Sequence, residues 1–299
     1  MFTLIKHKSN FNFLSKKKFA IIVSSILIIF SILSFSVKGL NFGIDFSSGY
    51  IVQLKFEKDL NISNVRNAFE KNGVSDSIIQ YFGSNNEIII KFKEDSSFSK
   101  DTVNNFLTKS LSKDYNFDIL KLEFVGSQIG AELREKGEWA MLVALLCILL
   151  YIGLRFEFLF GIGAIIALIH DVIITLGIFS ILQLEFNLSV LSAVLAVIGY
   201  SLNDTIVVYD RIRENSRTVR NDSFIDVLNS SVNQTLSRTV ITSLTTLFVL
   251  LSLYILGGAA VENFALAMII GILIGTYSSI YIASTSLYYL GVDINKDGD

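Results

Sequence analysis

A few charged and polar side chains lie where an apolar chain should not tolerate them. His170 and Asp171 fall about midway along one long apolar run, Asn203 and Asp204 in the second half of the next, and Arg238 opens the one after that. If those runs cross a bilayer, a carboxylate near its centre costs about 2.5 to 3.5 kcal/mol on insertion scales, so each residue needs a reason to be there. Helical spacing groups them. Tyr200, Asn203, Asp204, Val207 and Arg211 recur at i, i+3, i+4, i+7 and i+11, which predicts one polar face, and Arg238, Thr242, Thr245, Thr246 and Ser252 predict a hydroxyl-lined stripe descending from the arginine. A wet or bundle-facing path is the functional reading. Each residue also has a plainer role: Arg238 snorkelling to headgroups, Asp204 accepting a hydrogen bond between helices, His170 and Asp171 satisfying each other. Asp171 and Asp204 could instead share a proton as a hydrolytic carboxylate pair, although Asp204 stands in Ser-Leu-Asn-Asp, without a glycine-rich backbone around it.

The elements that must carry these residues are read from composition and patterning. Hydrophobic residues make up 52% of the 299 and charged residues 17%, which is too apolar for a soluble globule and places lipid around much of the chain. The formal net charge of -2 gives no bias toward nucleic acid. Cys147 is the single cysteine and lies in an apolar run, so no intrachain disulfide and no cysteine-based metal site can form, and no cofactor or metal is expected. There is no proline. Apolar segments over 19–37, 139–156, 158–182, 186–208, 239–257 and 263–290 predict six transmembrane helices. Gly271, Gly275, Ser279 and Ala283 put a small residue at every fourth position of the last, a ridge for close helix packing.

Topology follows from the basic residues. The lysine-rich segment 1–18, Arg155, and the loop 209–238 with Arg211, Arg213, Arg217, Arg220 and Arg238 fall on one side if there are six spans. The positive-inside rule makes that side cytoplasmic, together with both termini and the tail 291–299.

Residues 38–138 have a different texture, with mixed charges and short alternating runs, and predict a domain on the far side of the membrane. Strands are expected at Tyr50–Phe56, Ser77–Phe82, Glu87–Phe92 and Phe117–Val125, with a turn at Gly83-Ser84-Asn85-Asn86. Helices are expected from Ile62 to a stop at Asn72-Gly73 and over Phe98–Leu111. The order β-α-β-β-α-β is that of an α+β ferredoxin-like sandwich. Its tethers to the membrane are Gly39–Ser48 and Gly126–Gly137.

Several motifs resemble one family. The run Ala167 to Asn215, ending in SLNDTIVVYDRIREN, is similar to the central signature of SecF proteins, membrane subunits of bacterial protein export. LSRTVITSLTTL at Leu236–Leu247, GTYSSIYIA at Gly275–Ala283 and NFGIDF at Asn41–Phe46, with Gly43 and Asp45, resemble three further signatures. Ser47-Ser48-Gly49-Tyr50 departs from the usual threonine and two glycines, and Ser127 and the Ser284-Thr285 region stand where the family has prolines. The resemblance implies the resistance-nodulation-division architecture in the bacterial inner membrane, no enzymatic activity, and a SecD partner. It also implies assistance to the SecYEG channel, with proton flow moving the domain to draw preproteins outward. Asp204 and Arg238 match the family positions associated with proton conduction, with His170, Asp171, Tyr200, Asn203 and Thr242 as supporting polar residues. A half-transporter of a small molecule or lipid is the alternative that the same architecture permits.

Overall fold

The computed structural model describes residues 10–72, 74, 77–93, 100–112, 115–218 and 223–292. Lys6 and Lys8, the expected stop Gly73, the expected helix start Phe98, Arg220 and residues 293–299 of the tail lie outside the described residues. In chain order the elements are α1 (Lys17–Val37), β1 (Asn41–Phe42), β2 (Gly49–Phe56), α2 (Ile62–Lys71), β3 (Ser77–Phe82), β4 (Ser84–Lys93), α3 (Lys100–Leu111) and β5 (Phe117–Val125). They continue as α4 (Ser127–Arg155), α5 (Phe158–Leu182), β6 (Glu185–Phe186), α6 (Leu188–Thr218), α7 (Phe224–Leu256), α8 (Ala259–Ser278), a π turn (Ser279–Ala283) and α9 (Ser284–Leu290). Six helical stretches are long and apolar enough to cross a membrane, the last running from α8 through α9.

The α+β domain is a four-stranded sheet in the order β3-β4-β2-β5 with every pair antiparallel. That order, with two helices between the strands, is ferredoxin-like. Alternation along β2 and β4 drives it. Val52, Leu54, Ile88 and Ile90 are fully buried on one face and pack with Val65 and Phe69 of α2 and Leu107 and Leu111 of α3. Asn61 caps α2 by accepting from the Ser63 amide at 2.9 Å. Gly83, at φ 77, makes the β3-β4 turn so tight that Phe82 already pairs with Ser84, and the expected four-residue turn is mostly strand.

In the membrane part α5 and α6 are the most buried spans, while α1, α4 and α7 expose long apolar faces such as Phe30, Leu154 and Phe248. α8 crosses α6 where Gly271 sits against Val197 and Gly275 against Ser201, 2.9 Å from where a Cβ would be. Gly177 of α5 likewise lies directly against Ser31 of α1. These close approaches need the absence of a side chain.

Three boundaries differ from the sequence expectation. The stretch 209–238, expected as a loop, is helical on both sides of residues 219–222, because α6 runs to Thr218 and α7 starts at Phe224. Arginine density marked this stretch as extramembranous, but Leu228, Val232 and Leu236 pack into the core formed with Tyr209 and Ile212, which keeps it helical. The second domain tether is also no loop: α4 begins at Ser127 and carries residues 127–138 as rigid helix. The final span, expected as one helix over 263–290, contains the π turn Ser279–Ala283 where small buried residues stand next to the missing proline position.

Residues 10–16 lie beside the start of α7, with the Phe11 and Phe13 amides donating to Asn233 and Asn229 at 2.9 and 2.8 Å. The N-terminal segment and the start of α7 are thus on the same side.

Candidate functional site

α6 carries Asp204 into the bundle. The side chain belongs to a residue only 3% exposed, on the face that also buries Ser201, Thr205 and Val208. Among the described residues neither Asp204 nor Arg238 makes a hydrogen bond or a direct ion pair through its side chain. Arg238 stands on α7, the helix that packs against α6. It projects from α7 as an exposed residue, so the expected contact is an open pair of charges across two packed helices.

The expected polar face of α6 does not hold as a unit. Asn203 is exposed while its neighbour Asp204 is buried, because a 3.6-residue period turns adjacent residues about 100° apart. Tyr200 reaches α7, donating from its hydroxyl to Thr246 Oγ1 at 3.1 Å. The hydroxyl stripe on α7 is not a continuous wire either. Thr242 donates to the Arg238 carbonyl, Thr245 to Ile241 and Thr246 to Thr242, each bonding its own helix one turn back. Thr239 and Ser243 point inward instead, and Ser243 meets Thr276 of α8 at 2.8 Å.

His170 and Asp171, 3% and 1% exposed, form a buried hydrogen-bonded pair with Nδ1 and Oδ1 2.8 Å apart. Ser201 of α6, one turn before Asp204, donates to the other Asp171 oxygen at 2.5 Å. On the far side His170 Nε2 lies 3.0 Å from Ser24 Oγ of α1, and Ser24 lies 3.1 Å from the Tyr277 hydroxyl of α8. The sequence reading named the pair but not Ser24, Ser201 or Tyr277. Serines inside apolar runs give no signal of their own.

A second cluster joins the α+β domain to the membrane helices. β1 pairs in parallel with β6, the Gly43 amide donates to Phe186 O at 2.9 Å, and Asp45 accepts from the Leu188 amide at 2.9 Å. Asp45 therefore caps α6, the helix that carries Asp204, at the end where a carboxylate suits the helix dipole. Lys91 of β4 bridges both oxygens of Glu185 at 3.0 and 3.2 Å, and a Cβ at Gly43 would lie 2.7 Å from Glu185 Oε1, so a side chain there would push the carboxylate off this position. Arg134 of α4 donates to the Phe46 carbonyl at 2.9 Å and lies over the Phe42 ring. The expected tether 39–48 is thus a bolted joint. Of its residues, sequence reading found Gly43 and Asp45 and missed Lys91, Glu185 and Arg134; a lone glutamate in the short link between two spans was the available signal.

Residues 105–293 match the family described as protein export membrane protein SecD/SecF, C-terminal, and residues 33–59 match the SecD/SecF GG motif. The chain is 44% identical over 294 residues to the protein translocase subunit SecF of Vibrio alginolyticus, covering 98% of this chain and 93% of that one. The chain belongs to the SecF family. The SecF protein of Calditerrivibrio nitroreducens is 45% identical over 96% of both chains. A crystal structure of SecDF, a translocon-associated membrane protein from Thermus thermophilus, superposes with a TM-score of 0.83 at 37% identity, covering 96% of this chain. The chain spans 39% of the length of that SecDF protein. SecF membership makes this a multi-pass membrane subunit of protein export, not the hydrolase that an Asp171–Asp204 pair would have implied. In keeping with that, Asp171 bonds to His170 and Ser201. The GG-motif match covers the joint built by Gly43 and Asp45.

Proposed function

We propose that this SecF chain works with a SecD partner beside the SecYEG channel, in the bacterial inner membrane with both termini cytoplasmic, and that proton flow drives its α+β domain to draw preproteins outward. Asp204 is the proton carrier and Arg238 its counter-charge. The observation that carries the reading is a carboxylate 3% exposed within a span, on a helix packed against the one that carries Arg238, with no side-chain contact between the two. When Asp204 is ionised, closing the gap to Arg238 offsets its desolvation; when it is protonated that attraction vanishes. The two protonation states therefore favour different spacings of α6 and α7.

A gradient of 100 mV supplies about 2.3 kcal/mol per charge moved, which biases a two-state equilibrium by about 50-fold. Asp204 lies 16 residues from Leu188, so α6 reaches about 24 Å from the proton site to its cap at Asp45. A shift of α6 is delivered at that end to the joint, and through Lys91 and Glu185 to the sheet. Two solved forms of SecDF match this chain with TM-scores of 0.83 and 0.75, in keeping with a fold that changes arrangement.

The test is Asp204→Asn, assayed as preprotein export in inverted vesicles with and without a proton gradient and normalised to assembled complex. Asparagine keeps the size and hydrogen-bonding capacity but cannot ionise, so the gradient-dependent part of export should vanish while assembly with SecD is retained. A full gradient response in this variant would leave Asp204 a helix-packing residue.

A further inference from the structure

Hydrogen-bond accounting around His170 assigns a proton that the Asp204 reading does not use. The Tyr277 hydroxyl has one proton and donates it to the Ala20 carbonyl at 2.8 Å. Ser24 must therefore be the donor in its 3.1 Å bond to Tyr277. Its oxygen is then left as an acceptor toward His170, so Nε2 carries a hydrogen in their 3.0 Å bond. The 2.8 Å bond from Nδ1 to Asp171 Oδ1 needs one more proton, on either atom. Ser201 donates to Oδ2 and supplies none to Oδ1. The pair as a whole is neutral, and it holds one proton more than a neutral histidine beside a carboxylate.

We infer that the His170–Asp171 pair is a second proton-binding site of this chain, and that the Ser24 hydroxyl changes partner with its state. On release, the N–H bond at Nε2 breaks and its proton passes to water. The remaining proton resides on Nδ1 and bonds to the Asp171 carboxylate. The bare Nε2 then accepts from Ser24, whose hydroxyl must turn away from Tyr277. One proton leaves, and the side-chain bond between α1 and α8 through Ser24 and Tyr277 is lost. α1 ends at Val37, just before β1 of the joint, so this site reaches the domain through α1 as Asp204 does through α6.

A groove adjoins the pair on the side of Ser24. It is mostly apolar, of about 370 Å³, walled by isoleucines such as Ile21, Ile166 and Ile282, and borders Ser24, His170 and Thr285. Thr285, 3% exposed, has a buried hydroxyl with no hydrogen-bond partner among the described residues. The titratable and charged groups around the pair are Tyr277 of α8, stacked on His170 with centroids 6.1 Å apart, Tyr281 of the π turn against Tyr277, Tyr289 of α9, and Asp204 one turn beyond Ser201, with Arg238 on the adjoining α7. From α1 the facing groups are Ser24 and Ser25.

The inference rests on proton coupling by the SecF fold, and its test separates the two sites. The chain has two histidines, so His7→Gln leaves His170 as the sole reporter for nitrogen NMR of histidine-labelled protein, assembled with SecD in lipid nanodiscs. The expected result is a hydrogen on Nε2 at low pH and a change to the form with Nε2 bare and Nδ1 protonated as pH rises. Nε2 bare, or Nε2 protonated, at every pH where export responds to the gradient would overturn the inference. In the export assay Ser24→Ala, which leaves the proton site but removes the hydroxyl that switches, should lower the gradient response about 5-fold, the equilibrium worth of one hydrogen bond. Loss of response in Asp204→Asn with full response in both Ser24→Ala and His170→Gln would refute this second site and leave the first. The NMR switch together with full response in Asp204→Asn would refute the Asp204 reading alone.

Discussion

Lys91→Met tests whether the α+β domain is held to the membrane helices by the Glu185 ion pair. Glu185 has a side chain 7% exposed and Lys91 one 21% exposed, and both carboxylate oxygens lie within 3.2 Å of Nζ. Breaking a fully buried pair costs about 3 to 5 kcal/mol because one charge is left uncompensated. Partial solvation of Lys91 lowers this to about 2 to 3 kcal/mol. If the pair closes the joint, its opening should rise by about 30- to 150-fold. Hydrogen exchange of the 39–48 segment measures this, because the Gly43 amide is protected by its bond to Phe186 O. Glu185→Gln should by itself speed exchange less, since the charge it leaves unpaired, the Lys91 ammonium, is the more solvated of the two, and the double variant should resemble Glu185→Gln. Exchange in Lys91→Met within about 3-fold of the parent, or additive effects of the two changes, would refute the latch.

Asp45→Ala removes one of two side-chain acceptors at the start of α6, the other being Asn187 for the Val190 amide, and should destabilise the joint by about 1 kcal/mol, seen as faster exchange at 187–191 without loss of membrane insertion. Gly271→Leu places a side chain where Val197 already sits, so assembled protein in membranes should fall sharply, while Gly153→Leu, where a Cβ meets open space, should accumulate normally. In a Cys147→Ser background, Asp118→Cys should react with an impermeant thiol reagent in intact cells and Thr218→Cys should not; the reverse would overturn the proposed orientation. Residues 49–125 expressed alone should melt cooperatively, because the buried core of the sheet and its two helices lies entirely within them.

The sequence by itself determined the number of spans, the existence and element order of the α+β domain, and the identity of the polar residues in the membrane. Those follow from one-dimensional signals: apolar run length, alternation, and charges whose burial in lipid is too costly to be accidental. The family motifs added the likeness to SecF. What sequence could not decide is which polar residues meet. Asn203 and Asp204 are adjacent in the chain yet one is exposed and the other buried, and Asp204 and Arg238 stand on packed helices without side-chain contact. Ser24, Asp171, Ser201 and Tyr277 come from four helices, and Lys91 meets Glu185 across 94 residues. Helix periodicity places a side chain on a face. Only the packing of small residues such as Gly177, Gly271 and Gly275 against their neighbours sets which faces touch, and with them which hydrogen bonds can carry a proton.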